Sequence, residues 1–72
     1  MVNTQLLNHK IEESGLKKDF IAKKLGITRA GLYKKATNGS EFTVKEVAII
    51  CDLLSITKLT EKESIFFANE VN

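Results

Sequence analysis

Between Lys18 and Thr37 two short apolar-patterned stretches follow each other with only Gly26, Ile27 and Thr28 between them. Ile21, Ala22 and Leu25 recur at helical spacing before the glycine, and Leu32 anchors the stretch after it. Gly26 accepts the positive φ of a helix end, and Thr28 is a good N-cap for the next helix. Ala22 is small where two helices joined this tightly come closest. Basic side chains fill most positions that the apolar pattern leaves free. Two short helices with a tight turn and a positive outer face suit the major groove of DNA.

The rest of the chain is also patterned for helices, without proline or strand-like alternation of any length. Helix 1 is predicted from about Thr4 to Ser14, with Leu6, Leu7 and Ile11 inward and Gly15 ending it. Helix 2 is predicted over Lys18–Leu25 and helix 3 over Arg29–Ala36. Asn38, Gly39 and Ser40 form a loop with easy access to positive φ. Thr43 and Glu46 form a capping box for helix 4, with Phe42 and Val47 placed as a hydrophobic staple. Thr60 and Glu63 repeat the box for helix 5, which carries Ile65, Phe66, Phe67 and Ala68. Five short helices with connections of two to six residues predict one compact all-α domain over residues 1–72.

Composition narrows the function classes. Apolar residues make up 43% of 72, enough for one small core and too many for a disordered tail. No apolar run reaches the ~18 residues of a membrane span. The start, Met1-Val2-Asn3-Thr4, lacks the signature of a signal peptide. The single cysteine, Cys51, has no partner for an internal disulfide, and a cytoplasmic location is expected. Net charge is +2, but it is unevenly spread. Between Lys17 and Lys35 there are seven basic residues and one acid, Asp19. Residues 41–72 hold three basic and six acidic groups. A polarised surface follows.

Enzyme chemistry is not expected. His9 is the sole histidine, on the polar side of helix 1, and no Cys or carboxylate is expected at ligand spacing from it. Cys51 falls in the apolar stripe of helix 4 and reads as a core residue. There is no Gly-rich phosphate loop. No metal, cofactor or small-molecule substrate is expected.

The phrase Ser14-Gly15-Leu16, followed by Ile21-Ala22-Lys23-Lys24-Leu25-Gly26-Ile27-Thr28, resembles the phage repressor and Cro family, also called the xenobiotic-response-element type. Further resemblance runs through Asn38 to Thr43, Leu59-Thr60-Glu61 and Ile65-Phe66-Phe67. That part is similar to small Cro-like regulators of Gram-positive temperate phages. The resemblance implies a lambda-repressor-like domain with its helix-turn-helix at helices 2–3. It also departs from the family. Lys17 and Lys18 stand where Thr or Ser followed by Gln is usual. The second change keeps a phosphate donor and loses an amide that braces a base-reading side chain. The loop after helix 3 is about one residue longer than is usual in the family. Gly31 lies inside helix 3, either permitting close approach to another backbone or simply weakening the helix.

By family position, residues 28–37 form the recognition helix, and Thr28, Arg29, Ala30, Tyr33 and Lys34 face the groove. Arg29 suits both guanine acceptors, and Ala30 a thymine methyl. Tyr33 and Lys34 suit a base edge or a phosphate. Lys18, Lys23 and Lys35 are expected phosphate clamps, with the Asn38 to Ser40 loop offering backbone N–H groups. One such unit reads a half-site, so a homodimer is expected. Ile65, Phe66, Phe67 and Val71, with Phe20, are candidates for a protein interface; deep burial of helix 5 is the alternative. Two functions stay open. One is a Cro-like regulator that binds double-stranded operator DNA in a phage genetic switch in a bacterial host. The other is an antirepressor, or modulator of repression, that binds a partner phage repressor. A small toxin–antitoxin regulator is a third.

Overall fold

Asn3 opens the first helix by accepting the Leu6 N–H on its side chain at 3.1 Å. The computed structural model describes residues 1–68, and among these it holds five helices and no strand. They are α1 (Thr4–Ser14), α2 (Lys18–Leu25), α3 (Arg29–Ala36), α4 (Val44–Leu53) and α5 (Leu59–Phe66). The sequence-based bounds of the first three agree with these. α2 packs on α3 and α4, and α1 packs on α5. The radius of gyration is 11.2 Å, the size a folded chain of this length should have. No helix among the described residues is long and apolar enough to cross a membrane.

One device ends four of the five helices. A residue at the cap or just after it adopts positive φ, and the next N–H turns back to an orphan carbonyl. At α2 this residue is Gly26, φ 75°, and Ile27 N–H donates to Ala22 O at 3.0 Å. At α3 it is Asn38, φ 68°, and Gly39 N–H donates to Lys34 O at 2.7 Å. At α4 it is Ser55, φ 57°, and Ile56 N–H donates to Cys51 O at 2.8 Å. α1 uses a variant at Gly15. The Leu16 N–H donates to Ser14 Oγ, which donates in turn to Ile11 O at 2.6 Å. A side-chain hydroxyl thus relays the bond that the backbone makes elsewhere. Positive φ in the 38–40 loop falls on Asn38 alone. Gly39 serves close approach instead, since a Cβ there would lie 2.7 Å from Lys34 Cγ.

The core follows the helical pattern with three corrections. Leu7, Ile11, Ile21, Ala22, Leu32, Ala36, Ile50, Cys51, Leu54, Ile56, Ile65 and Phe66 are buried. Leu6, expected inward, is 41% exposed, because only the Leu7 and Ile11 edge of α1 meets the core. The second capping box does not form. α5 starts at Leu59 with Lys58 as an N-cap that makes no side-chain bond, so Thr60 already has helical backbone and cannot cap. Glu61 of that first turn reaches Lys10 instead, at 2.6 Å, and ties α5 to α1. His9 does have a carboxylate at helical spacing, since its Nε2 lies 3.3 Å from Glu13. That pair is exposed, and no group of three His, Cys, Asp or Glu among the described residues is gathered to hold a metal ion.

Of the two readings for helix 5, burial takes Ile65 and Phe66, at 1% and 4% exposure. Phe66 meets Phe42 edge-on, with ring centroids 5.8 Å apart at 85°. Phe42 and Val47 both lie half-buried against the core. Phe67 stays 60% exposed, and Val71 lies outside the described residues. The capping box at Thr43 and Glu46 is fully formed.

Candidate nucleic-acid interface

Leu32 and Ala36, four apart, pin α3 to the core and thereby decide which of its residues face water. Ala30 and Lys34 lie on the opposite side and Tyr33 on its flank, and all three are exposed, Tyr33 by 69%. Thr28 sets the start of the helix, its hydroxyl accepting the Gly31 N–H at 3.0 Å. A Cβ on Gly31 would lie 3.2 Å from that hydroxyl oxygen, so the close approach at Gly31 is to the cap and not to another backbone.

Arg29 is the first residue of α3 and stands at the edge of this face, beside α2. Its Nη1 lies 3.6 Å from Asp19 Oδ1, with both side chains well exposed. A shallow cleft runs between α1, α2 and α3. Ile11, Leu32 and Ala36 form its floor, and Asn8, Lys18, Arg29, Tyr33 and Thr37 its walls. Lys18 and Arg29 thus come together, although eleven positions separate them in the chain. Lys17, Lys23 and Lys24 are exposed along α2 and its start. Lys24 Nζ sits 5.4 Å from the centre of the Phe20 ring, a cation–π approach on the same exterior. Phe20 is 41% exposed.

Two of the sequence-predicted phosphate contacts have other partners. Lys35 turns away from the α3 face, its Nζ 2.6 Å from Glu46 Oε1, and its side chain is only 18% exposed. Asn38 spends its amide on the N-terminus. Its Oδ1 accepts the Val2 N–H at 2.8 Å, and its Nδ2 donates to Val2 O at 3.0 Å. Its own N–H and that of Gly39 close the end of α3. Thr4 Oγ1 adds a bond to Ala36 O, and Asn3 N–H a bond to Ile65 O, both 2.7 Å. Residues 2–4 are therefore stitched to α3 and α5. Ser40 takes no part in these bonds.

The residue that sequence reasoning passed over is Asp19. One signal marked it, as the single acid among seven cations between Lys17 and Lys35. Elsewhere, Cys51 is 3% exposed, and burial pushes its thiol pKa up, which keeps it protonated.

No family model, no curated protein and no solved structure matches the chain. The outward face of α3 and its basic surroundings therefore stand on their own chemistry.

Proposed function

We propose that the chain is a sequence-specific DNA-binding regulator of the Cro-like kind, with α2 and α3 as its helix-turn-helix. One observation carries this reading. The face of α3 turned from the core offers Ala30, Tyr33 and Lys34 together, with Arg29 at its edge and exposed lysines on the neighbouring α2. Such a face has shape and charge for the major groove. Arg29 reads guanine through its two-pronged fork, while Thr28, Ala30, Tyr33 and Lys34 line the remaining base edges. Lys18 and Lys23 clamp phosphates and set register. Lys35 and Asn38 are left out of this set, because both are engaged within the fold. A regulator of this kind binds two half-sites as a homodimer in the bacterial cytoplasm and sets a phage switch. It needs no cofactor and catalyses nothing.

A second reading has its own observation. Leu59 and Phe67, at 69% and 60% exposure, leave apolar surface at both ends of α5. That surface favours a modulator that binds a partner repressor. Selection of duplexes from a random pool by the purified chain tests the first reading. An enriched motif, bound far more tightly than random DNA, supports it. No enrichment alone, with a stable complex when a co-encoded repressor is added, supports the second.

A further inference from the structure

Arg29 is the only arginine in the chain, and Asp19 is the only acid in the basic segment that contains it. The fold sets the two 3.6 Å apart across the junction of α2 and α3. We propose that Asp19 is a positioning residue for Arg29, one that gives up general affinity for DNA to gain selectivity for guanine. This rests on the DNA-reading function proposed above.

The placement has electrostatic logic on both helices. Arg29 sits at the first position of α3, where the helix dipole disfavours a cation. α3 has no acid of its own in that first turn. Asp19 lies in the first turn of α2, where the dipole favours a carboxylate, and its N-cap, Lys17, makes no side-chain cap bond. The carboxylate therefore stays at the helix end and supplies across the turn the counter-charge that α3 lacks.

The pairing changes what Arg29 does on DNA. A guanidinium has five donors in a fixed plane, and one carboxylate occupies one edge of it. The remaining edge is then aimed, and a bidentate guanine contact needs a single aimed edge. An unbraced arginine also swings to the nearest phosphate, which carries no sequence information. Asp19 opposes that swing twice, by holding the guanidinium and by repelling the DNA backbone. Because both side chains are exposed, at 65% and 70%, the pair guides Arg29 without locking it.

The test is selection from a random duplex pool with the wild-type chain, Asp19→Asn and Asp19→Glu, each then titrated on its motif and on random DNA. The wild-type motif should contain an invariant guanine. Asp19→Asn should lose the preference at that base by about tenfold or more and bind random DNA more tightly. Its salt dependence should steepen by about one unit of slope, as Arg29 gains a phosphate. Asp19→Glu should restore the guanine preference. Glu63→Gln, which removes an exposed carboxylate from α5, should leave the preference unchanged. Asp19→Ser keeps a good helix start and replaces the Asn variant should that one melt. An equal rise of affinity on motif and random DNA for Asp19→Asn overturns the inference and leaves the DNA-reading function standing. A wild-type chain that enriches no motif overturns both.

Discussion

Lys35 Nζ lies 2.6 Å from Glu46 Oε1, and the same oxygen accepts the Thr43 N–H at 2.9 Å. One carboxylate thus completes the capping box of α4 and ties that helix to α3. Side-chain exposures of 18% and 12% leave little room for water to compete. The Lys35 hydrogen bond, and after it the Thr43 N–H, holds the Glu46 carboxyl below its ordinary value of 4.5. The end of the outward helix and the start of the next therefore share a charge-assisted joint.

Glu46→Gln separates the two roles of that carboxylate. Glutamine still accepts the Thr43 N–H, so the capping box survives. The charge is lost, and Lys35 stays covered without a counter-charge. A cost of about 1–2 kcal/mol is expected, seen as a lower urea midpoint at unchanged slope. Lys35→Met should cost at least as much, because it keeps the apolar stem but leaves the covered Glu46 carboxylate without its cation. The pH dependence has a defined sign. The folded pKa is depressed, so the stabilisation is complete above about 4.5 and is lost as pH falls through the lower folded value. Urea midpoints from pH 6 down to 2 should drop less steeply for Glu46→Gln than for wild type. Parallel curves would remove the pair from the account.

Asn38 joins the end of α3 to the N-terminus, through its positive φ and its two bonds to Val2. Asn38→Gly keeps the backbone conformation and loses both bonds, for about 1–2 kcal/mol. Asn38→Ala should cost about 1 kcal/mol more, since it adds left-handed strain. In a chain of this size each kcal/mol lowers the melting temperature by about 4–8 °C. Thermal melts should rank wild type above Gly and Gly above Ala. Exchange of the Val2 amide proton should quicken in both variants. A Gly variant that melts with the wild type would mean that the latch to Val2 contributes nothing.

The helices were legible because their ends are written in local chemistry. Gly15, Gly26 and Thr28 each act within four residues, and the bounds of α1, α2 and α3 follow from them. The start of α5 was misplaced for the opposite reason. Thr60 and Glu63 satisfy the spacing of a capping box, but Glu61 is drawn to Lys10 on α1, and helical backbone begins earlier. Composition also gave no warning that Lys35 and Asn38 are engaged. Their partners, Glu46 and Val2, lie eleven and thirty-six positions away, and only the packed fold brings them near. The outward set on α3 was easier, because Leu32 and Ala36 decide it by spacing alone.

Ser55 ends α4 at φ 57°, a region that glycine enters without strain and serine does not. Ser55→Gly should relieve that strain, partly offset by the greater freedom of glycine in the unfolded chain. A net gain of up to about 1 kcal/mol is expected from urea or thermal melts. Ser55→Val should lose more than that, because a β-branched residue tolerates positive φ poorly. If both variants melt with the wild type, the left-handed cap at Ser55 is not a point of strain.

Under the proposed DNA-reading function, the cations of residues 17–35 fall into three kinds. Arg29→Ala should lose about 1–3 kcal/mol of discrimination between the selected motif and a duplex altered at one guanine. Lys23→Ala should weaken every duplex about equally and reduce the salt slope by about one. Lys35→Met should change neither, provided it is assayed below its melting range, because Lys35 is held by Glu46. Titrations at four salt concentrations on motif, altered motif and random DNA distinguish the three outcomes. If Lys35→Met reduces the salt slope as much as Lys23→Ala does, Lys35 leaves Glu46 to meet a phosphate. The joint between α3 and α4 would then open on DNA, and the outward face of α3 would not be the rigid surface that Leu32 and Ala36 make it in the free chain.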